Sequence, residues 1–242
     1  MLKLVRGEIY RLFHKKSMAV YFGALTILYF FLAFIRSGGF STESVVKDAM
    51  TLFNFSSVLA GGFFFSAIYT DDLNSKNLTV LVGYGMSKIQ IVLAKLLLSV
   101  LFCTVFFGLF PLFHAAIYAL LGYAATANQM TLLYAASVKF LLMTLAYMTM
   151  SSIVVYASQR TTFAIVTYVL LGFGVIKTIF TIAGNVFELN IYNHILSGIT
   201  DRMIEGIMSG NSFVLPLIEY VMYMIIAVVL SAIAFQKKEM EF

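Results

Sequence analysis

The chain has 242 residues, of which 61 % are hydrophobic and 11 % charged. Soluble domains carry roughly 25 % charged residues, so lipid rather than water is the solvent this composition suits. One cysteine, Cys103, excludes an intrachain disulfide, and the net charge of +5 reads as a membrane-orientation signal rather than a nucleic-acid patch.

In chain order, Leu2, Val5, Ile9, Leu12 and Phe13 recur at helical spacing with basic residues around them. Residues 1–17 are therefore expected to form an amphipathic interfacial helix, anchored on an anionic membrane surface by Lys3, Arg6, Arg11, Lys15 and Lys16. A charged overhang before the first span is the plainer alternative. The stretch lacks the uncharged core and cleavage site of a signal peptide.

Six apolar runs follow, each long enough for a helix to cross the hydrocarbon, which takes roughly 17–25 residues, with part of the third expected below the membrane. They are Met18–Ile35, Met50–Tyr69, Ile89–Leu121, Leu132–Ala157, Phe163–Ala183 and Leu215–Phe235. None alternates as barrel strands do. Ser37-Gly38-Gly39 closes the first, and Pro216 stands in the first turn of the sixth. No repeat or flexible linker divides the chain, so residues 1–242 read as one all-α, polytopic membrane domain.

Between the second and third spans, residues 70–88 form the longest polar interruption. Asp71 and Asp72 can cap a helix over Leu73–Val82. Gly83-Tyr84-Gly85 breaks it, and Ser87 with Gln90 has the capping-box spacing that starts the third span. An ordinary ordered loop is the simpler reading. The Ser158–Thr161 connection is so short that spans four and five form a tight hairpin. Residues 184–214 are long and structured, with apolar residues at helical spacing over Val186–Ile195 and Ile199–Met208. These suit short helices that either dip into the outer leaflet or pack on the span ends.

Orientation follows from the basic residues. With the N-terminus inside, eleven of the 16 lysines and arginines are cytoplasmic: Lys3, Arg6, Arg11, Lys15, Lys16, Lys76, Lys88, Lys95, Arg160, Lys237 and Lys238. The positive-inside rule then places both termini and the 70–88 loop in the cytoplasm.

No phosphate-binding loop or His-Glu-x-x-His motif is present. The three histidines fall in separate environments, so no metal site is expected. His194 with Ser197 is the nearest approach to a nucleophile pair, and it reads as ordinary loop polarity. Cys103 has apolar neighbours and no evident base. The ionisable residues inside spans stand out, since each costs about 2.5–3.5 kcal/mol at mid-bilayer. His114, Lys139, Lys177 and Glu219 all lie roughly 6–11 Å below the outer boundary by helical rise. They form either a shared polar layer or four side chains that snorkel separately.

An amphipathic N-terminal helix, six spans, an acidic-led loop between spans two and three and a helical outer segment before span six resemble the type 2 ATP-binding-cassette permeases. Ser87-Lys88 and Ala94-Lys95 resemble the small–basic step and following Ala-Lys of that family's coupling region. The Gly83-Tyr84-Gly85 break stands where many members carry a proline. Size and composition resemble the small permeases of bacterial peptide-export and lantibiotic-immunity systems.

The resemblance implies a cytoplasmic coupling helix in which Asp71, Asp72, Leu73, Leu78, Val80 and Leu81 engage a separate ATPase subunit, present in two copies. It implies a second permease subunit, identical or homologous, in the bacterial cytoplasmic membrane. ATP and Mg would reside on the ATPase, with no cofactor, enzymatic activity or nucleic-acid partner in this chain. Amphipathic or hydrophobic peptides, or similar toxic compounds, are the implied cargo, exported through a pathway lined by Phe and Met. Two other classes are a substrate-capturing subunit of a vitamin-type uptake system and a membrane-embedded enzyme.

Overall fold

The computed structural model describes residues 2–16, 41–74, 77–188 and 191–237, with 20, 23, 26, 27, 30 and 31. Among them all regular structure is helical. The elements are α1 (Leu2–Phe13), α2 (Ser44–Phe65) continued by a π-helical turn (Ser66–Thr70), α3 (Asp71–Asn74), α4 (Asn77–Gly83) and α5 (Lys88–Leu120). They continue as α6 (Ala127–Ser158), α7 (Thr161–Gly172), α8 (Val175–Val186), a 3-10 turn (Tyr192–His194), α9 (Leu196–Ser209) and α10 (Val214–Lys237).

Among the described residues, four helices are long and apolar enough to cross a bilayer: Ser44–Thr70, α5, α6 and α10. Taken as one span, α7 and α8 make a fifth, bent by 53°. Each half is 12 residues, about 18 Å at helical rise, so the bent pair reaches about 29 Å along one axis, close to the hydrocarbon thickness. The bend falls at Gly174, whose φ of 71° is left-handed. Most of the expected first span, Met18–Ile35, lies outside the described residues.

Local chemistry accounts for the helix ends. The Ser87 hydroxyl accepts from the Gln90 N–H, and the Gln90 carboxamide accepts from the Ser87 N–H, both at 3.3 Å. This is the capping box that the spacing predicts. Thr126 and Gln129 build a second one at the start of α6, from an identical spacing that the sequence reading passed over. Gly85, at φ 80°, ends α4. Its N–H meets the Val82 carbonyl and the Met86 N–H meets the Leu81 carbonyl, the paired bonds of a Schellman motif. Lys88 reaches back to the Gln236 carbonyl at 3.3 Å, occupying one of the acceptors left open in the last turn of α10.

Pro111 lies buried inside α5. Having no N–H, it deprives the Phe107 carbonyl four residues back of its helical donor. The Ser137 hydroxyl of α6 donates to that carbonyl, so the helix contact repairs what the proline removes.

Helix α6 sits at the centre, packed against α2, α5, α7, α9 and α10. Phe53, Phe64, Phe65 and Phe107 are almost fully buried. Phe53 stacks on Phe140 at 5.5 Å and Phe65 on Tyr168 at 5.3 Å. These aromatics fill the interior of the single chain. Helix α10 buries one stripe, Pro216, Tyr220, Ala227, Ser231 and Phe235, with Ser231 bonded to Ser152 of α6 at 2.9 Å.

Candidate functional site

The strongest concentration of buried charge lies at the end of the bundle that carries α3 and α4. Helix α1 buries Val5, Glu8 and Leu12, three residues at i, i+3 and i+7 on one stripe. Beside them, Arg11 pairs with Glu8 at 2.6 Å and with Asp72 at 3.0 Å. Lys95 of α5, 1 % exposed, pairs with Glu8 at 3.2 Å and also with Asp72, which is 0 % exposed. Two carboxylates and two cations thus close a neutral network joining α1, α3 and α5. Neutrality is what allows it to be buried, since an isolated charge there would carry a large desolvation penalty.

Asp72 is the second residue after the π turn, in which the Thr70 hydroxyl donates to the Ser66 carbonyl at 3.0 Å. Helix α3 continues that helical run. Asp71 and Asp72 therefore stand inside a continuous helical stretch rather than at a free helix start. An N-cap needs non-helical backbone, and the Asp72 carboxylate is turned to Arg11 and Lys95. π turns occur often at functional positions, because one extra residue re-aims the side chains that follow.

Each of the other expected residues has a definite place. Helical structure runs over Asp71–Asn74 and Asn77–Gly83, with residues 75 and 76 and the side chain of Asp71 outside the described set. Leu78 is 5 % exposed and belongs to the core, whereas Val80 is 50 % and Tyr84 83 % exposed. Leu73 and Leu81 are half-buried. An open groove of about 380 Å³ lies between Leu73 and the α6–α7 turn, lined also by Gln159, Arg160, Thr161, Thr162 and Phe163. Of the expected membrane anchors, Arg6 and Lys16 are exposed and Lys15 is half-buried. Arg11 is committed to the network, and the side chain of Lys3 lies outside the described set.

At the opposite end, the four ionisable span residues do not pair with one another. Lys139 bonds Asp201 at 2.5 Å, Glu219 pairs with Arg202, and Lys177 lies over the Tyr192 ring at 5.2 Å. His114 donates from Nε2 to the Val45 carbonyl at 2.8 Å. Three of the four thus fasten the 192–209 segment to α6, α8 and α10. Tyr192 also donates to Asp201 at 2.5 Å, and burial followed by that carboxylate pushes its hydroxyl up to about 12. Helix α9 packs on α6 and α10, with Ile199 and Met203 buried. Its predicted partner helix over Val186–Ile195 is absent among the described residues: α8 ends at Val186, Glu188 takes a left-handed φ of 54°, and a 3-10 turn follows.

The sequence reading missed Glu8, Tyr192, Asp201 and Arg202 as functional positions. Glu8 had a signal: a carboxylate on the apolar stripe of an amphipathic helix needs a buried partner. For Asp201 and Arg202, no local pattern marks which spans they meet. Among the described residues, no group of three His, Cys, Asp or Glu side chains is placed to hold a metal ion. The chain matches no protein-family model, no curated protein and no solved structure.

Proposed function

We propose that the chain is the membrane-spanning subunit of an ATP-driven transporter of the ATP-binding-cassette type, moved by a separate ATPase that docks on the α3–α4 loop. The observation that carries this reading is the neutral Glu8–Arg11–Asp72–Lys95 network. It ties the loop to α5 and to α1, so that a push on the loop moves those helices together. A loop that merely connected two spans would need no such anchoring. The exposed Val80 and Tyr84 supply an apolar contact surface beside it, and the charge distribution of the sequence puts this end in the cytoplasm. Export of amphipathic or hydrophobic peptides, from a bacterial cell membrane and with a second permease subunit, is the form of the proposal that the resemblance favours.

Val80→Asp tests it, because an unpaired charge is strongly disfavoured in a protein interface while Val80 holds nothing in the chain's own core. The tagged chain, purified from its native membranes, is expected to bring with it a subunit that hydrolyses ATP, and the Val80→Asp variant to lose that subunit at an unchanged yield of folded chain. Wild-type material with no ATP hydrolysis, or a variant that keeps it in full, refutes the assignment. Leu78 is unsuitable for this purpose, since its burial makes any charge there a folding defect.

A further inference from the structure

The turn between α6 and α7 is tightly bonded. Gln159 takes a left-handed φ of 53°, its N–H meets the Val155 carbonyl at 2.9 Å, and the Arg160 N–H donates to the Ser158 hydroxyl at 3.2 Å. This turn places Arg160 in the lining of the open groove of about 380 Å³, to which α3 contributes Leu73. Leu73 is next in the chain to Asp72, so the groove adjoins the buried charge network. The Arg160 side chain is exposed. Its guanidinium lies over the Phe163 ring at 5.9 Å and pairs with no carboxylate among the described residues. The rest of the polar lining, Gln159, Thr161 and Thr162, is uncharged.

Exposed charge at this end of the bundle has one sign. Among the described residues its exposed charged side chains are Arg6, Lys16, Arg160 and Lys237, while its carboxylates Glu8 and Asp72 are buried. At the opposite end both signs are exposed, in Glu43, Lys47, Lys177, Glu188 and Glu205. A surface of one sign selects a partner of the other and speeds its approach. A planar guanidinium suits a carboxylate in particular, because the two can share a pair of parallel hydrogen bonds.

We propose that the groove between α3 and the α6–α7 turn receives an acidic segment of the partner ATPase, with one carboxylate on Arg160 and an apolar neighbour against Leu73 and Phe163. The inference rests on the ATPase reading above and names what that subunit presents. A groove of this volume takes a short stretch of chain. Its leucine and phenylalanine offer packing that a lone lipid phosphate would leave unused. A segment seated there grips α3 and the entry to α7 together. One partner surface then acts on the central helix α6 at its end, as well as on α1 and α5 through the charge network.

Carbodiimide coupling in the complex purified from native membranes tests this. Arg160→Lys puts a primary amine in the groove. A water-soluble carbodiimide activates a carboxylate, the amine attacks its carbonyl carbon, and an amide forms as the urea leaves. The expected product, read by peptide mass spectrometry, is a link from position 160 to an Asp or Glu of the ATP-hydrolysing subunit. No link, or links only to carboxylates of this chain, overturns the proposal. Arg160→Glu is expected to retain about tenfold less ATP hydrolysis at an unchanged yield of folded chain, and Arg160→Gln an intermediate amount. If Arg160→Glu retains it in full, the groove is not a docking site, while the α3–α4 loop still stands as one. If Arg160→Glu instead weakens binding to phosphatidylglycerol vesicles and leaves ATP hydrolysis unchanged, Arg160 serves a lipid headgroup and the proposal is overturned. A wild-type chain that brings no ATP hydrolysis removes the ATPase reading and this inference with it.

Discussion

Lys95 is held between two carboxylates with almost no access to solvent, and its worth to the fold is set by what remains when it is gone. Lys95→Met leaves Glu8 and Asp72 facing a single cation, a net buried negative charge. Breaking such a pair costs about 3–5 kcal/mol. Adding Asp72→Asn restores neutrality around Glu8 and Arg11, so the double variant is expected to be more stable than Lys95→Met alone in thermal unfolding. Equal or greater loss in the double variant would mean that the four groups are not energetically coupled. Pro111 and Ser137 form a second coupled pair. Ser137→Ala strands the Phe107 carbonyl and is expected to cost about 1–3 kcal/mol. In a Pro111→Ala background, where the helical N–H is restored, the same change is expected to cost clearly less.

Helix existence was legible because long apolar runs bounded by Ser-x-x-Gln and by Pro216 are local signals, and α5 and α10 stand where those signals put them, while α6 begins at Ala127, ahead of the expected Leu132, at the Thr126 cap. The bend at Gly174 was not legible. A helical interruption inside an apolar run leaves the hydropathy unchanged, and the left-handed φ at one glycine decides it. The 184–214 segment was half legible: α9 follows its apolar spacing, while the stretch before it is broken by the left-handed backbone at Glu188. That segment is held by Tyr192–Asp201, Lys139–Asp201 and Arg202–Glu219, so Asp201→Asn is expected to speed proteolysis between α8 and α10 while cleavage in the α3–α4 loop stays unchanged. The Tyr192 hydroxyl is raised in the folded state, so its contribution is present below its usual value of 10 and is lost as pH rises toward about 12. Alkaline release of the segment, followed by the same proteolysis, is expected over that range. In Tyr192→Phe the release is expected to lose this pH dependence.

At the scale of the molecule, the reading depends on which end faces the cytoplasm. Tyr84 and Asn128 are both exposed and lie at opposite ends of α5 and its neighbour α6. In a Cys103→Ala background, Asn128→Cys is expected to react with an impermeant thiol reagent in intact cells, and Tyr84→Cys only after the membrane is opened. The opposite pattern would place the charge network outside and remove the basis for the proposed ATPase docking. The buried quartet was only partly legible from sequence, since Asp72 and Lys95 were singled out for their place in a motif and not as each other's partners. A contact between residues 8 and 95 has no signature in a local window.

That same contact fixes an order of events during synthesis. Helix α1 is made before α5, and although Glu8 and Arg11 pair with each other within it, neither meets its second partner until Asp72 and Lys95 have emerged. Helix α1 therefore takes its final seat only after the chain between it and α5 has been made. A nascent chain halted before residue 72 carries the Glu8–Arg11 pair without either distal partner, and one halted between residues 72 and 95 lacks only the Lys95 cation.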